Sequence, residues 1–323
     1  MKLIIQIPCY NEEETLPITL ADLPREIPGV DEVEWLIIDD GSHDRTVEVA
    51  RALGVHHIVR HLRNLGLARA FMTGIDACLD RGADIIVNTD GDNQYCGADI
   101  PKLVAPILAG RADIVVGERP IGEIEHFSPI KKALEKLGSR VVAWASQTDI
   151  TDAPSGFRAF TKEAALQIHV FNNYTYTLET IIQAGQKAMA ITSVPIRTNP
   201  MLRKSRLFKS MLGYIRKSLL TIVRIFMTYQ PFVFFITPGG VMLGLGFLLG
   251  LRFLYFYVNG SGNGHIQSLI LSAILILLGG FLVVVGLLAD LISVNRKLLE
   301  KIDWRLHKMA VDAARREAKN DEL

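Results

Sequence analysis

Two stretches of this chain are incompatible with exposure to water as isolated helices. Phe232 to Leu251 and Ile266 to Ala289 contain no charged residue. At about 1.5 Å per helical residue, each is long enough to cross the ~30 Å hydrocarbon core of a bilayer. Arg252, Phe253, Tyr255, Phe256 and Tyr257 follow the first stretch, as a snorkelling cation and an aromatic belt do at a membrane interface. A polar turn, Asn259-Gly260-Ser261-Gly262-Asn263-Gly264, joins the two stretches and carries no Lys or Arg, whereas both outer flanks do. The positive-inside rule then places both flanks, and both termini, on the cytoplasmic side of the cytoplasmic membrane. Gly239, Gly240, Gly244, Gly246 and Gly250, with Gly279, Gly280 and Gly286, predict close helix contact and a homo-oligomer formed through these spans.

The chain around the hairpin divides by composition into residues 1–200, 201–230, 231–291 and 292–323. Residues 201–230 open with Arg203, Lys204, Arg206 and Lys209 and interleave further cations with apolar residues. Such a segment lies in a membrane interface, or packs on the preceding domain with a solvated basic face. The last segment reads as a charged amphipathic helix to about Lys319. Lys and Arg total 35 against 34 Asp and Glu, a balance that offers no footprint for nucleic acid. Cys9, Cys78 and Cys96 share no metal-ligand spacing and point to a reducing compartment. Met1-Lys2-Leu3-Ile4-Ile5 runs straight into Pro8 and polar residues, so no signal peptide is expected and the first domain stays cytoplasmic.

Within residues 1–200, short apolar runs alternate with helical patterns. Strands are expected at 3–7, 34–38, 55–59, 83–87, 114–116 and 191–196, and helices at about 15–23, 44–53, 67–80, 101–108, 131–144 and 174–185. This alternation predicts an α/β domain with a mostly parallel sheet covered by helices on both faces. No Gly-x-Gly-x-x-Gly follows the first strand, which argues against a dinucleotide-binding domain.

The strand ends carry the polar chemistry. Pro8-Cys9-Tyr10-Asn11-Glu12-Glu13 ends the first, Asp39-Asp40-Gly41-Ser42 the second, Asp90-Gly91-Asp92-Asn93-Gln94 the fourth, and Gly117-Glu118-Arg119 the fifth. In an open α/β sheet, ligands bind outside these carboxyl ends. Asp90 and Asp92, two residues apart on an extended strand end, point the same way. With the Gln94 carbonyl they offer hard oxygen ligands to Mg²⁺ or Mn²⁺ carrying a diphosphate; the plain alternative is an acidic turn. Asp40 and Glu12 offer acceptors to a base or ribose hydroxyl, and Asp44 reads as a helix cap.

Taken in order, Pro8-x-Tyr10-Asn11-Glu12-Glu13, Ile38-Asp39-Asp40-Gly41-Ser42-x-Asp44 and Asp90-x-Asp92-x-Gln94 resemble the family 2 glycosyltransferases of GT-A fold, and among them the polyprenyl-phosphate sugar synthases. The resemblance spans about the first two-thirds of the chain. It implies Pro8, Tyr10, Glu12, Ile38 and Asp40 around the nucleoside, and Asp90, Asp92 and Gln94 around the metal, with Gly91 and Arg203 at the donor. Arg119 matches a donor-binding arginine. Gly91-Asp92-Asn93 departs from the more common Ala-Asp-Leu while keeping the ligand spacing. A second constellation, Asp152-Ala153-Pro154-Ser155-Gly156-Phe157-Arg158, resembles the family's acceptor segment. It implies Asp152 facing the acceptor, with Ser155 and Arg158 at its phosphate; the alternative is a turn with a salt-bridged Asp152. Glu179 reads as structural, paired with Arg197 or Lys187.

A polar active site followed by a membrane hairpin predicts a nucleotide-sugar donor and a polyprenyl phosphate acceptor. The acceptor oxygen displaces nucleoside diphosphate, with inversion implied by the resemblance. Asp92, Asp152 and Arg119 are the expected catalytic residues, and Lys204, Arg206 and Lys209 join Ser155 and Arg158 at the acceptor phosphate. A processive polysaccharide synthase shares the carboxylate motifs but needs Gln-x-x-Arg-Trp and many spans, which this chain lacks. A non-catalytic nucleotide-sugar receptor has no use for metal carboxylates beside an acceptor segment.

Overall fold

The computed structural model describes residues 1–120, 138–144, 146–170, 176–200, 220, 223–224, 227–260 and 262–321. Two compact units emerge, residues 1–218 with 302–323, and residues 219–301. The first part of the expected 131–144 helix and the basic residues Arg203, Lys204, Arg206 and Lys209 lie outside the described residues.

The first unit is built on a seven-stranded sheet in the order β3-β2-β1-β4-β6-β5-β7. Its strands are β1 (Lys2–Cys9), β2 (Glu32–Asp39), β3 (His57–Arg60), β4 (Ile85–Asn88), β5 (Ile114–Glu118), β6 (Arg158–Thr161) and β7 (Ile191–Pro195). Continuous apolar runs such as Leu3-Ile4-Ile5 and Ile85-Ile86-Val87 form the centre because their strands are buried on both faces. Leu3, Ile5 and Ile7 pack on one side with α1 (Leu16–Asp22) and α4 (Ile100–Leu108). Ile4, Leu36 and Ile38 pack on the other with α3 (Leu67–Asp80), Phe160 and Tyr176. The short helix α2 (Thr46–Ala52) follows β2. Chain order reverses between β1 and β4, with β2 and β3 to one side, so the ligand crevice is expected at the carboxyl ends of these two strands.

The sheet departs from strict alternation at β6. This strand runs antiparallel to both neighbours, Asn88 opposing Arg158 on one side and Val116 opposing Arg158 on the other. It occupies part of the segment expected to be an acceptor loop, and the arginine within Phe157-Arg158-Ala159-Phe160 disguises a strand buried through Phe160. The short helix α5 (Lys162–Ala165) follows directly, and α6 (Thr177–Gln186) precedes β7.

The second unit contains α7 (Pro231–Val258) and most of α8 (Ile266–Asp321). Both include stretches long and apolar enough to cross a membrane. α7 continues beyond Leu251 through Arg252 and the aromatic belt to Val258, with Asn259 as its C-cap. α8 is one continuous helix where a span and a separate tail were expected; Asp290 to Asn295 contains no Gly or Pro to break it. Small residues recur every seven positions where the helices touch. A Cβ on Gly239 would lie 3.0 Å from the Gly279 carbonyl, and one on Gly246 only 2.8 Å from Ile276 Cγ1. Ser272 Oγ donates to the Gly246 carbonyl at 2.6 Å. Gly240, Gly244 and Gly280 have open space instead, so the glycines that touch serve this intramolecular seam.

Candidate active site

The site begins with a stagger. β1 extends to Cys9 opposite Asp39, whereas β4 pairs with β1 only as far as Asn88 opposite Gln6. The chain leaving β4 therefore passes over the end of β1, and Gly91 settles against it. A Cβ there would sit 3.0 Å from Cys9 Sγ and 3.4 Å from Glu12 Cγ. The Gly91 carbonyl accepts from Thr15 Oγ1 at 3.0 Å and Thr19 Oγ1 at 3.1 Å, which nails the peptide between Asp90 and Asp92 to α1. Thr15 Oγ1 also lies 2.6 Å from Glu12 Oε2.

Asp90 and Asp92 flank this fixed point, both half-buried. Asp92 Oδ1 accepts the Gln94 backbone N–H at 3.1 Å, an Asx turn in which Asn93 takes φ 56°. The Gln94 backbone carbonyl accepts from the Asn199 N–H at 2.9 Å, tying it to the segment after β7. Asp90 lies over Gly156, where a Cβ would come within 3.3 Å of both carboxylate oxygens and 2.7 Å of the Tyr176 hydroxyl. Gly156 is held from all sides. Its N–H donates to Tyr95 Oη at 2.9 Å, and its carbonyl accepts from Asn88 Nδ2 at 2.8 Å and Tyr176 Oη at 3.3 Å. Burial, followed by the nearby Asp90 charge, pushes both phenols up, so they stay protonated. Asn88, Tyr95 and Tyr176 were not singled out from the sequence; the placement of Tyr95 directly after Gln94 was the one available signal.

The first two motifs are laced together. The N–H groups of Asn11, Glu12 and Glu13 donate to Ser42 Oγ, Thr46 Oγ1 and Asp44 Oδ2. Burial pushes the Asp44 carboxyl up, but hydrogen bonds from Thr46 and Glu13 outweigh it and hold it below its ordinary value. Asp44 is not the cap of α2, which is Arg45; one residue earlier, its Oδ1 accepts the Thr46 N–H at 3.0 Å, and its other oxygen fastens the first motif. Pro8 is buried beneath Gly91, and Tyr10 is half-buried beside this junction. Asp40 accepts from the N–H groups of Leu65 and Gly66 at 2.8 and 2.9 Å and lies 2.8 Å from His61 Nδ1, so it organises the loop between β3 and α3.

Several of the expected site residues are buried in the fold. Ile38 is fully buried on the α3 side of the sheet and does not face the crevice. Asp152 is 0 % exposed, and both its oxygens accept from Arg119, itself 8 % exposed. Arg119 Nε and Nη2 donate at 2.8 Å each, and its backbone N–H donates at 3.0 Å. Arg158 is likewise 0 % exposed. It donates to the Ser155 and Ala153 carbonyls at 2.8 and 2.7 Å and to Thr180 Oγ1. Burial pulls its guanidinium down to about 10, so it remains charged at neutral pH while bracing its own loop. Ser155 is buried in the same loop. Glu179 is buried on α6, Arg197 pairs with Asp99, and Lys187 donates to the Gln167 carbonyl.

Two half-buried carboxylates fit a divalent cation that takes one or two protein carboxylates and completes its shell with substrate phosphates. No group of three or more His, Cys, Asp or Glu able to hold a metal occurs among the described residues.

The family model Glycosyl transferase family 2 matches residues 4–168. An undecaprenyl-phosphate mannosyltransferase of Micrococcus luteus is 29% identical over 61% of this chain and 83% of its own length. A UDP-N-acetylglucosamine–dolichyl-phosphate N-acetylglucosaminyltransferase of Methanococcus voltae is 30% identical over 59% and 83%. Glycosyltransferase AglJ of Haloferax volcanii is 28% identical over 93% and 96%, a match that extends through the apolar helices. Glucosyl-3-phosphoglycerate synthase from Mycobacterium tuberculosis, solved with Mn²⁺, uridine diphosphate and product, shares the fold at a TM-score of 0.53 and 19% identity, over 71% of this chain and 79% of that one.

Proposed function

The chain belongs to glycosyl transferase family 2, and from that membership we propose that it moves a sugar from a nucleotide-sugar to a polyprenyl phosphate at the cytoplasmic face of a membrane. The observation that carries the reading is the pairing of Asp90 and Asp92 around a Gly91 peptide fixed at the switch point of the sheet, in a chain that also carries two helices long enough to span a bilayer. In this scheme residues 1–200 are the catalytic domain, 201–230 the interfacial segment, 231–291 the hairpin and 292–323 the tail.

Asp90 and Asp92, with Gln94, would hold Mg²⁺ or Mn²⁺. The cation supplies charge to stabilise the departing diphosphate. Tyr10 and Glu12 line the nucleoside side, and Asp40 sets the β3–α3 loop that closes it. A phosphate monoester is largely ionised near neutral pH, so the acceptor oxygen attacks the anomeric carbon without a strong base while the bond to the diphosphate breaks. Asp152 accordingly has no proton to remove. With Arg119 it anchors the 152–158 loop to the end of β5 and so sets Gly156 beneath Asp90. Arg203, Lys204, Arg206 and Lys209 are the cations assigned to the lipid phosphate and donor diphosphate.

The test is glycolipid formation by the purified full chain, with Mn²⁺ or Mg²⁺, a panel of UDP- and GDP-sugars, and polyprenyl phosphate in detergent. Product with one donor is expected. Donor binding without product across the panel overturns catalysis in favour of a receptor, and polymer without lipid would mark a processive synthase.

A further inference from the structure

The segment leaving β7 is zipped along the residues that follow Asp92. Thr198 bridges Tyr95 in antiparallel fashion, the Cys96 N–H donates to the Arg197 carbonyl at 3.3 Å, and the Asn199 N–H donates to the Gln94 carbonyl at 2.9 Å. Arg197 secures the strap. Its backbone N–H donates to Asp99 Oδ2 at 2.7 Å, Nη2 reaches Asp99 Oδ1 at 2.8 Å, and Nε lies 3.2 Å from both oxygens. Asp99 is fully buried, and Lys102 Nζ lies 2.9 Å from it. A groove of about 470 Å³, lined by Ile18, Ala21, Asp22, Asn93, Asn199 and Pro200, marks where the strap meets the Asp92 turn.

We propose that this strap, residues 196–199, positions the Asp92 carboxylate for metal binding, with Arg197 as the positioning residue. The chain of contacts is short. Asp92 Oδ1 takes its orientation from the Gln94 N–H, and the other side of that residue, its carbonyl, is held by Asn199. Gln94 is therefore fixed at both backbone groups, one facing the carboxylate and one facing the strap. Asn93, with φ 56°, sits in a left-handed conformation that an unsupported turn readily abandons. Tying the strap to the 3-10 turn Gly97–Asp99 through the Arg197–Asp99 fork fixes the far end of the same stretch.

This inference rests on the assignment of Asp90 and Asp92 to a cation, and the test separates the two. Mn²⁺ affinity of the full-length protein in detergent is read from the free-ion signal in electron paramagnetic resonance, together with kinetics in Mn²⁺ and in acceptor. Arg197→Ala is expected to weaken Mn²⁺ binding by about tenfold or more, the range seen when groups that orient metal ligands are lost. The acceptor KM should stay unchanged, and Arg197→Lys should recover part of the affinity. The Arg197 side chain is 63% exposed, so its truncation leaves the core intact; Asp99→Asn gives an independent break of the same fork. Wild-type Mn²⁺ affinity in Arg197→Ala and Asp99→Asn, with affinity lost in Asp92→Asn, overturns the positioning role and keeps the metal site. Wild-type affinity in Asp92→Asn removes the metal site itself. A raised acceptor KM at unchanged Mn²⁺ affinity assigns the strap to the acceptor and also overturns the proposal.

Discussion

Asp152→Asn is the most informative single change, because the sequence and the structure assign this carboxylate different work. The pair it forms with Arg119 is fully desolvated on one side and nearly so on the other, and three N–H groups converge on its two oxygens. Removing one partner of a buried pair leaves the other charge without compensation and costs about 3–5 kcal/mol. In a domain of this size each kcal/mol shifts the melting temperature by about 2–4 °C, so a loss of ~6–20 °C is expected. The amide keeps one acceptor oxygen but turns an NH₂ group toward a guanidinium nitrogen, so Asp152→Asn should fall near the lower end and Asp152→Ala near the upper. Trp35, buried in β2, reports unfolding of the sheet independently of the membrane helices. Melting is followed by its fluorescence in detergent, with Trp144 and Trp304 replaced by Phe. Replacing both partners, Arg119→Met with Asp152→Leu, should recover much of the loss, since apolar substitutes of similar volume are tolerated where a lone charge is not. Activity should fall in parallel with stability in the single variants. An Asp152→Asn protein that melts like wild type yet has lost turnover would refute the structural pairing and return Asp152 to the acceptor.

Four further outcomes are expected. Asp92→Asn abolishes glycolipid formation while changing the melting temperature by no more than about 2 °C, as surface changes of under ~0.5 kcal/mol do; full activity in that variant or in excess chelator removes the metal assignment. Gly156→Ala drives a methyl into the Tyr176 hydroxyl and the Asp90 carboxylate, costing about 1–3 kcal/mol by overpacking and raising the Mn²⁺ concentration needed for half-maximal rate. Gly246→Leu, whose side chain meets Ile276, should lower the thermal stability of the detergent-solubilised hairpin, whereas Gly244→Leu, facing open space, should not. Burial pushes the Asp99 carboxyl up, but Arg197 and Lys102 outweigh it and hold the group at about 2. That contribution to stability is present above the ordinary carboxylate value of about 3.9 and is lost as pH falls through about 2. Urea midpoints measured from pH 6 to pH 2 should therefore show an acid-limb loss that is smaller in Arg197→Ala.

Much of the sheet was legible because parallel strands buried on both faces are continuous apolar runs, and those runs are short, separate and bounded by turn formers. Leu67–Asp80 was placed to the residue, and β1–β5, β7, α1, α2, α4 and α6 to within a few residues, whereas β6 and α5 were not expected. Ile38 shows the limit of motif reasoning: a residue can belong to a ligand-lining motif in sequence while its side chain points through the sheet, because alternation along a strand sends neighbours to opposite faces. Arg158 shows another. A guanidinium in a polar segment suggests a phosphate ligand, but its five donors can equally be spent on nearby carbonyls, and only the folded loop reveals that they are. Nothing local marked Asp99 and Arg197 as partners, since they are 98 positions apart.

The missed strand β6 explains more of the site than any motif found in advance. In an all-parallel sheet the loops at the ligand end are those that follow strands, so a segment preceding a strand would lie at the opposite end. β6 is antiparallel to β4 and β5, and reversal exchanges the ends: its first residue, Arg158, lies level with Asn88 at the end of β4. The loop entering β6 is thereby delivered to the same edge as the loop leaving β4. Gly156, two residues before the strand, comes to rest against Asp90, two residues after β4. The Asn88 side chain closes the junction by donating to the Gly156 carbonyl from within the register itself. Arg158 then braces the turn from below, and the Arg119–Asp152 pair fixes it to β5. The second motif thus reaches the first through the direction of one four-residue strand, which is why an arginine fully buried in that strand is better explained by architecture than by a phosphate.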